Sequence, residues 1–379
     1  MFGRRSGLFS AIRERRVWGA SDRHGVRGST RGKLDSVING FVCTRGDEYV
    51  MDMGIGHVPL ATGFCKVPGQ GHVLCVCDWD GFIRLYCTKP DKCNGQFSKW
   101  TGHGNVIHDL EWSPHQSIMV TASGDKTARM WDMESTNLMG VFKGHTKSVM
   151  SASFRTNDKW VFCTGARDRN ILVWDGRCNH NGGFYGPVNS IRNGHPHPVP
   201  STPWQHYDGV TCVVYQDENT IVSAGSMADG PCGTIKLWDM RKNYTAYQYT
   251  PIPKHSFPCP RTCSGSSSLV VDSAGTRLFA SCTHIYNFST DSAIYMYNCH
   301  SMETQPVATF TGHGSSFDVR CALSPCEEYL LISGPSDASA YIWKVPTANA
   351  ASPKHAAGAS PNAEAVATAG LPTPENEQS

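Results

Sequence analysis

The chain has 379 residues, of which 40% are hydrophobic and 17% are charged, and its formal net charge at pH 7 is +2. This near-neutral balance supplies no broad basic field, so direct sequence-specific nucleic-acid binding is not expected. No apolar run approaches the length that crosses a bilayer, so no membrane partner is expected either. The 37 glycines and 22 prolines suit many short strands joined by turns.

Residues 1–32 form a basic N-terminal arm in which eight arginines are balanced only by Glu14 and Asp22. A solvated arm is the favoured interpretation, and nuclear targeting, an organelle transit segment and phosphate contact are the alternatives. The next segment, Lys33–Thr44, has the apolar content of one strand. In a ring-closed propeller such a strand could complete the last blade and remove an exposed sheet edge.

Three strings with the same ending mark a repeat in the middle of the chain: ARMWD at 128–132, ILVWD at 171–175 and IKLWD at 235–239. Gly-His pairs recur in the same stretch, and the first two of them are 42 residues apart. The four pairs lie at 102–103, 144–145, 194–195 and 312–313. Gly-His and Trp-Asp pairs at this interval are the signature of WD-type repeats, each of which forms one four-stranded blade.

Six repeats can be recognised, so the predicted fold is an all-β WD-repeat β-propeller over residues 33–345 with six recognisable blades. The first repeat is degenerate, with Asp80 six residues before a Tyr86 that takes the place of the tryptophan. The fourth and fifth repeats carry insertions. Two long irregular loops, Asn179–Asp208 and Pro251–Ser267, interrupt the array, and loops of this kind on a rigid scaffold often carry specificity.

The composition changes at Pro346. Residues 346–379 are rich in Ala, Pro and Ser and contain no aromatic residue. Such a segment cannot bury enough apolar surface to offset its ordering entropy, so a disordered C-terminal tail is expected.

Each regular repeat offers a hydroxyl, an imidazole, a carboxylate and an indole. The sets are His103, Thr121, Asp125 and Trp131 in repeat two; His145, Thr164, Asp168 and Trp174 in repeat three; and His313, Ser333, Asp337 and Trp343 in repeat six. A hydrolase triad uses the same first three groups, which is the catalytic alternative. Because the set recurs from blade to blade, a structural hydrogen-bond network that satisfies each buried indole is favoured.

The metal-binding signals are weak. His255, Cys259 and Cys263 lie close together, but one histidine beside a Cys-x₃-Cys pair falls short of a zinc signature. Four histidines crowd the first long loop, where solvated side chains are expected: His180, His195, His197 and His206. The sequence also lacks a phosphate-cradling glycine motif, so neither a metal nor a cofactor is predicted.

Arg177 and Arg241 follow a Trp-Asp pair at the same offset in repeats three and four. Repeat geometry places both at the tight turn after the third strand, on the same face of the propeller. A guanidinium is a fixed fork of donors that suits bidentate contact with carboxylates or carbonyls. The alternative is that each arginine packs locally against its own turn.

Several longer strings resemble the denticleless proteins, which are WD-repeat substrate receptors of cullin-4 RING ubiquitin ligases. These strings are GARDRNILVWDGRCNHNGGFYGPVNSI, YQDENTIVSAG, TIKLWDMRKNYTAY and SDASAYIWKV, within residues 34–345. The resemblance implies a nuclear, non-catalytic receptor without cofactors. Its partners would be cullin-4, the ligase adaptor (the large subunit of the damaged-DNA-binding protein) and replication and cell-cycle proteins bound to the sliding clamp.

The resemblance also implies how the adaptor is bound. The docking elements of the family are Trp-Asp-x-Arg turns, which correspond here to Trp174, Asp175 and Arg177 and to Trp238, Asp239 and Arg241. The family has seven blades, whereas this chain shows six before the Ala/Pro/Ser-rich tail. A general WD-repeat scaffold in another nuclear complex is the alternative function, and an enzyme with a His-Asp pair is a third class.

Overall fold

The computed structural model describes residues 58–89, 95–114, 116–178, 182–195, 209–226, 234–246, 251–258, 265–283, 293–301, 303–311, 320–333, 339–346, 362–363 and 367–370. Within them the strands form six four-stranded antiparallel blades, which we number one to six in chain order. Four of these blades are separate sheets, whereas blades four and five are continuous through the pairing of Ser226 with Gly265. The predicted all-β WD-repeat β-propeller with six blades is confirmed. The arm at 1–32 and the proposed closing strand at 33–44 lie outside the described residues.

The first three blades take their strands in chain order. Blade one contains β1 (Pro59–Phe64), β2 (Val73–Asp78), β3 (Phe82–Cys87) and β4 (Gly95–Thr101); blade two contains β5 (Ile107–Trp112), β6 (Ile118–Ser123), β7 (Thr127–Asp132) and β8 (Asn137–Lys143); blade three contains β9 (Val149–Phe154), β10 (Val161–Ala166), β11 (Ile171–Asp175) and β12 (Asn189–Ile191).

The last three blades follow the same plan, except that the fourth strand of blade six comes from the tail. Blade four contains β13 (Gly209–Tyr215), β14 (Thr220–Ser226), β15 (Thr234–Asp239) and β16 (His255–Pro258); blade five contains β17 (Gly265–Val271), β18 (Arg277–Thr283), β19 (Ala293–Asn298) and β20 (Ala308–Phe310); blade six contains β21 (Cys321–Leu323), β22 (Tyr329–Ser333), β23 (Ser339–Lys344) and β25 (Ala367–Gly370). A short strand, β24 (Asn362–Ala363), pairs in parallel with β20.

The strands are apolar on both faces because each blade is covered by its neighbours. Every residue of β6 and of β10 is buried, which explains why their sequences are continuous rather than alternating. Five apolar clusters join successive blades from one to six, and each contains the aromatic residue at the end of the third strand of the later blade. These residues are Trp131, Trp174, Trp238, Tyr297 and Trp343. Tyr297 therefore replaces tryptophan in blade five.

Blade six departs from the sequence expectation. The tail was expected to be disordered, but Ala367–Gly370 pairs along β23, with Ile342 opposite Ala367 and Ser339 opposite Gly370. The structure therefore differs from the expected disorder at the six residues of β24 and β25. A β-ladder uses backbone groups alone, so a segment of small residues can occupy an open strand edge although it has little apolar surface to bury.

Candidate functional site

The hydroxyl, imidazole, carboxylate and indole groups of blades two and three are linked into chains of hydrogen bonds. In blade two, Nδ1 of His103 lies 2.9 Å from Asp125 and its Nε2 lies 2.7 Å from the hydroxyl of Thr121. The indole N–H of Trp131 donates to the same hydroxyl at 2.9 Å. This series of hydrogen bonds therefore joins the loop before blade two to the second and third strands of that blade.

Blade three repeats this geometry closely. Nδ1 of His145 lies 3.0 Å from Asp168, its Nε2 lies 2.8 Å from Thr164, and the indole of Trp174 donates to Thr164 at 2.8 Å. The hydroxyl accepts from the indole and donates to the imidazole, so its donor and one of its two acceptor lone pairs are used. Each bond contributes on the order of 1 kcal/mol net.

Electrostatics in the blade-two set favour a neutral imidazole and an ionised carboxylate. Burial lowers the pKa of His103, against the opposing effect of Asp125. Burial alone would raise the pKa of Asp125, but hydrogen bonds from His103 and Thr127 outweigh it and hold the pKa well below its usual value. Both Thr121 and Thr164 are completely buried. Their hydroxyls are therefore not exposed at the surface, whereas the nucleophile of a hydrolase must be reached by its substrate.

Blade four contains a related set that the sequence analysis did not assign. His195 is buried, its Nε2 lies 2.8 Å from the hydroxyl of Ser223, and the indole of Trp238 donates to Ser223 at 2.8 Å. The expectation that His195 is a solvated loop histidine is therefore wrong. The Gly-His pair at 194–195 was the available signal, and the surrounding Gly, Pro and His residues obscured it.

Two other blades depart from the regular pattern. In blade six, Trp343 is fully buried. His313 and Asp337 lie outside the described residues, and only the backbone of Ser333 is described, at the end of β22.

In blade one, Asp80 is exposed and the buried turn carboxylate is Asp78. Asp78 accepts from the backbone of Phe82 at 2.8 Å and pairs with the buried guanidinium of Arg84.

The two predicted docking turns follow β11 and β15 and open on the same face of the propeller. Arg177 donates from Nε and Nη2 to Asp175 at 2.9 and 2.8 Å, and from Nη2 to Asp158 at 3.2 Å. Arg241 donates to Asp239 in the same way, from Nε at 2.8 Å and from Nη2 at 2.7 Å. Each arginine thus forms a bidentate pair with the aspartate of its own Trp-Asp-x-Arg turn.

The pairs hold the arginines in place without burying them. The side chain of Arg177 is 55% exposed and that of Arg241 is 70% exposed. Hydrogen bonds from the guanidinium lower the pKa of Asp175 and lower that of Asp239 to about 2, so both carboxylates are ionised at neutral pH. Within the described chain no residue accepts from Nη1 of either arginine. Each guanidinium is therefore oriented by its aspartate through Nε and Nη2, and its Nη1 donors are left for a partner.

A cavity of about 330 Å³ lies between these two turns. Its walls combine apolar side chains with a cationic rim, and the rim is formed by Arg155, Arg177, Arg241 and Lys242. Arg155 is itself anchored across the blade boundary, where its Nε donates to the carbonyl of Glu218 at 2.6 Å. The arrangement suits an acidic protein surface better than a neutral one.

No group of three or more His, Cys, Asp and Glu side chains in the described part of the chain could hold a metal ion. His255 packs edge-on against Phe257, whereas Cys259, Cys263, His180, His197 and His206 lie outside the described residues. None of the helices in the described segments is long and apolar enough to span a bilayer.

Comparison with known proteins identifies the repeats and the family. A model of the WD domain, G-beta repeat, matches residues 93–132, 136–175, 200–239 and 304–344. The chain is 41% identical over 344 residues to the denticleless protein homolog of Gallus gallus, which covers 85% of this chain and 46% of the relative. The corresponding values for the Homo sapiens homolog are 42% identity, 84% and 45%.

A more distant relative gives the same result. The protein lethal(2)denticleless of Drosophila melanogaster is 38% identical over 306 residues, covering 74% of this chain and 38% of the relative. The chain spans less than half the length of these curated relatives. The matches extend across the blades described above, and the chain belongs to the denticleless family of WD40-repeat proteins.

Proposed function

We propose that this chain is a substrate receptor of a cullin-4 RING ubiquitin ligase and docks on the ligase adaptor through its two Trp-Asp-x-Arg turns. The observation that carries the proposal is the placement of Arg177 and Arg241. Both are exposed, both are held in a fixed orientation, and both line one basic cavity on a single face. The family membership of the chain supports the same role.

The local ion pairs are compatible with docking. The sequence left open whether each arginine packs against its own turn or contacts the adaptor. One side chain can do both, because Asp175 and Asp239 engage only Nε and Nη2. A partner carboxylate or carbonyl can then approach Nη1. Because the side chain is already oriented, less rotamer entropy is lost on binding than for a free arginine.

The opposite face of the propeller is available for substrates under this proposal. It carries the turns between second and third strands and the connections between blades. Substrates would be replication and cell-cycle proteins bound to the sliding clamp, which places the chain in the nucleus. The chain itself would act without catalysis, since the hydroxyls of its His-Asp sets are buried behind tryptophans.

The double variant Arg177→Ala/Arg241→Ala tests the docking turns. We expect its affinity for the purified adaptor to fall at least about 30-fold, because two charge-assisted contacts are lost together. The thermal midpoint should change little, since both side chains are exposed. Titration of adaptor against immobilised chain measures the first quantity and differential scanning fluorimetry the second.

Arg192→Ala is the matched control, because Arg192 is an exposed arginine on the opposite face, in the connection from blade three to blade four. Its affinity for the adaptor should equal that of the unmodified chain. Equal binding by the double variant would exclude these turns as the docking site. Affinity purification that recovers neither the adaptor nor cullin-4 would favour the general scaffold function.

A further inference from the structure

A second cavity lies on the docking face, between blades two and three. Its volume is about 530 Å³, and it is walled by the turns after β5 and β9 and by the arginine of the blade-three docking turn. We call it the Ser113–Trp160 pocket after two of the residues that line it. Arg177 lines this pocket as well as the 330 Å³ cavity, so the two form neighbouring depressions on one surface.

Ser113 gives this pocket an unused hydrogen-bonding group. The residue is completely buried, and among the described residues its hydroxyl meets no donor or acceptor. Its backbone N–H is bonded to the carbonyl of Ile118 at 2.8 Å, so the backbone is satisfied while the side chain is not. A buried unpaired hydroxyl is costly, and in a cavity wall a donor from a ligand can satisfy it.

Trp160 supplies an apolar wall. It packs against the docking turn, and a Cβ atom at Gly176 would lie only 3.0 Å from Cε3 of its ring. Blade four has Met240 at the position of Gly176, so this close packing is particular to blade three. The ammonium of Lys159 lies 5.3 Å from the Trp160 ring centre at the pocket mouth.

The charges around the two cavities indicate an acidic partner. Their linings contain five cationic side chains and two carboxylates, and both carboxylates are already paired with Arg177. The cations are Arg155, Lys159, Arg177, Arg241 and Lys242. Acidic residues beside an aromatic anchor would complement both the rim and the Trp160 wall.

We infer that the Ser113–Trp160 pocket receives one aromatic side chain with a polar tip, a tyrosine or tryptophan, from an acidic segment of the ligase adaptor. The ring lies against Trp160, and its O–H or N–H donates to the hydroxyl of Ser113. This inference rests on the proposed function and adds an anchor that the arginine turns do not supply. Buried aromatic anchors of this type carry much of the binding energy in protein interfaces.

Two variants of the 379-residue chain test the anchor. Ser113→Ala removes the unpaired hydroxyl, so we expect adaptor affinity to fall about fivefold to tenfold. The thermal midpoint should stay equal or rise. Gln116→Trp places a bulky side chain at the exposed pocket mouth, and adaptor affinity should fall at least about tenfold. Isothermal titration with purified adaptor and scanning calorimetry provide both readouts.

Lys147→Trp, an equally bulky change at an exposed site on the opposite face, is the control and should bind the adaptor normally. A lower thermal midpoint for Ser113→Ala would mean that the hydroxyl is satisfied within the fold, which overturns the inference. Unchanged affinity in both pocket variants, with binding lost in Arg177→Ala/Arg241→Ala, overturns the anchor and leaves the proposed function standing. An unmodified chain that does not bind the adaptor overturns both.

Discussion

At the scale of single residues, His195 is a buried histidine whose surroundings disfavour a charged ring. His195 differs from His103 and His145 because the described residues place Lys236 near it, and no carboxylate of the described chain bonds to its ring. Burial, together with Lys236, lowers the pKa of His195 to about 3. The neutral ring accepts from Ser223, which in turn accepts from Trp238.

This histidine should make the fold sensitive to acid. An unfolded histidine has a pKa near 6.5, so between pH 7 and pH 5 the unfolded chain takes up a proton at position 195 that the folded chain does not. The free energy of unfolding therefore falls as the pH falls, by about 2 kcal/mol over this interval from His195 alone. The loss ends only below the folded pKa of about 3.

Chemical denaturation of the unmodified chain and of His195→Gln at pH 7 and pH 5 checks this value. The variant should lose about 2 kcal/mol less over the interval, because glutamine can still accept from Ser223 but does not titrate. His300→Gln, a change of an exposed histidine, is the control and should follow the unmodified chain. Parallel profiles for all three proteins would contradict the assignment.

At the scale of strands, the regular repeats could be predicted and the tail could not. Continuous apolar runs such as those of β6 and β10 are visible in the sequence because burial on both faces leaves no polar alternation. β25 has no such signal, since its pairing with β23 depends on backbone hydrogen bonds and on an edge that no nearby segment fills. The sequence therefore indicated the three strands of blade six but not the fourth.

Shortening the chain to end at residue 366 tests the role of β25. The amide protons of β23 should then exchange with solvent at least about tenfold faster, because the outer edge of blade six loses its cover. Those of β7, the third strand of blade two, should exchange at the same rate in both chains, since β8 still covers them. Equal exchange in β23 before and after truncation would show that β25 does not stabilise this blade.

At the scale of the whole molecule, one carboxylate connects three blades. Asp109 on β5 accepts from the backbone of Ala152 on β9 at 3.0 Å and pairs with Arg320, which precedes β21. Arg320 also donates to the carbonyl of His108 at 2.7 Å. Blades two, three and six are thus tied together by groups that lie 43 and 211 residues apart in the chain.

A double-mutant cycle measures this connection. Arg320→Ala should destabilise the fold by about 0.5–1 kcal/mol, because the arginine is partly exposed and solvent screens the pair. Asp109→Ala should cost more, since it also leaves the amide of Ala152 without its acceptor. The combined variant should be less destabilised than the sum of the two. Arg192→Ala with Asp109→Ala should be additive, and additivity in the first pair as well would rule out the coupling.

Contacts that depend on strand register or on distant segments of the chain leave no pattern in the amino-acid sequence. The fold class, the number of blades and the regular His-Asp sets follow from spacings within one repeat. The contacts of Asp78 and Arg84 in blade one and of Arg320 with Asp109 do not, because no repeat pattern marks them. The role of Ser113 could not be predicted either, since nothing about a lone serine indicates that its hydroxyl is buried and unpaired.

The late position of β25 has a consequence for biosynthesis. Residues 345–366 separate it from β23, so a ribosome needs roughly one to five seconds to complete β25 once β23 has been made. Through that interval the nascent chain presents an uncovered row of N–H and C=O groups, which is a template for pairing with another polypeptide. Pairing between neighbouring nascent chains on one polysome is therefore a route to aggregation that completion of β25 closes.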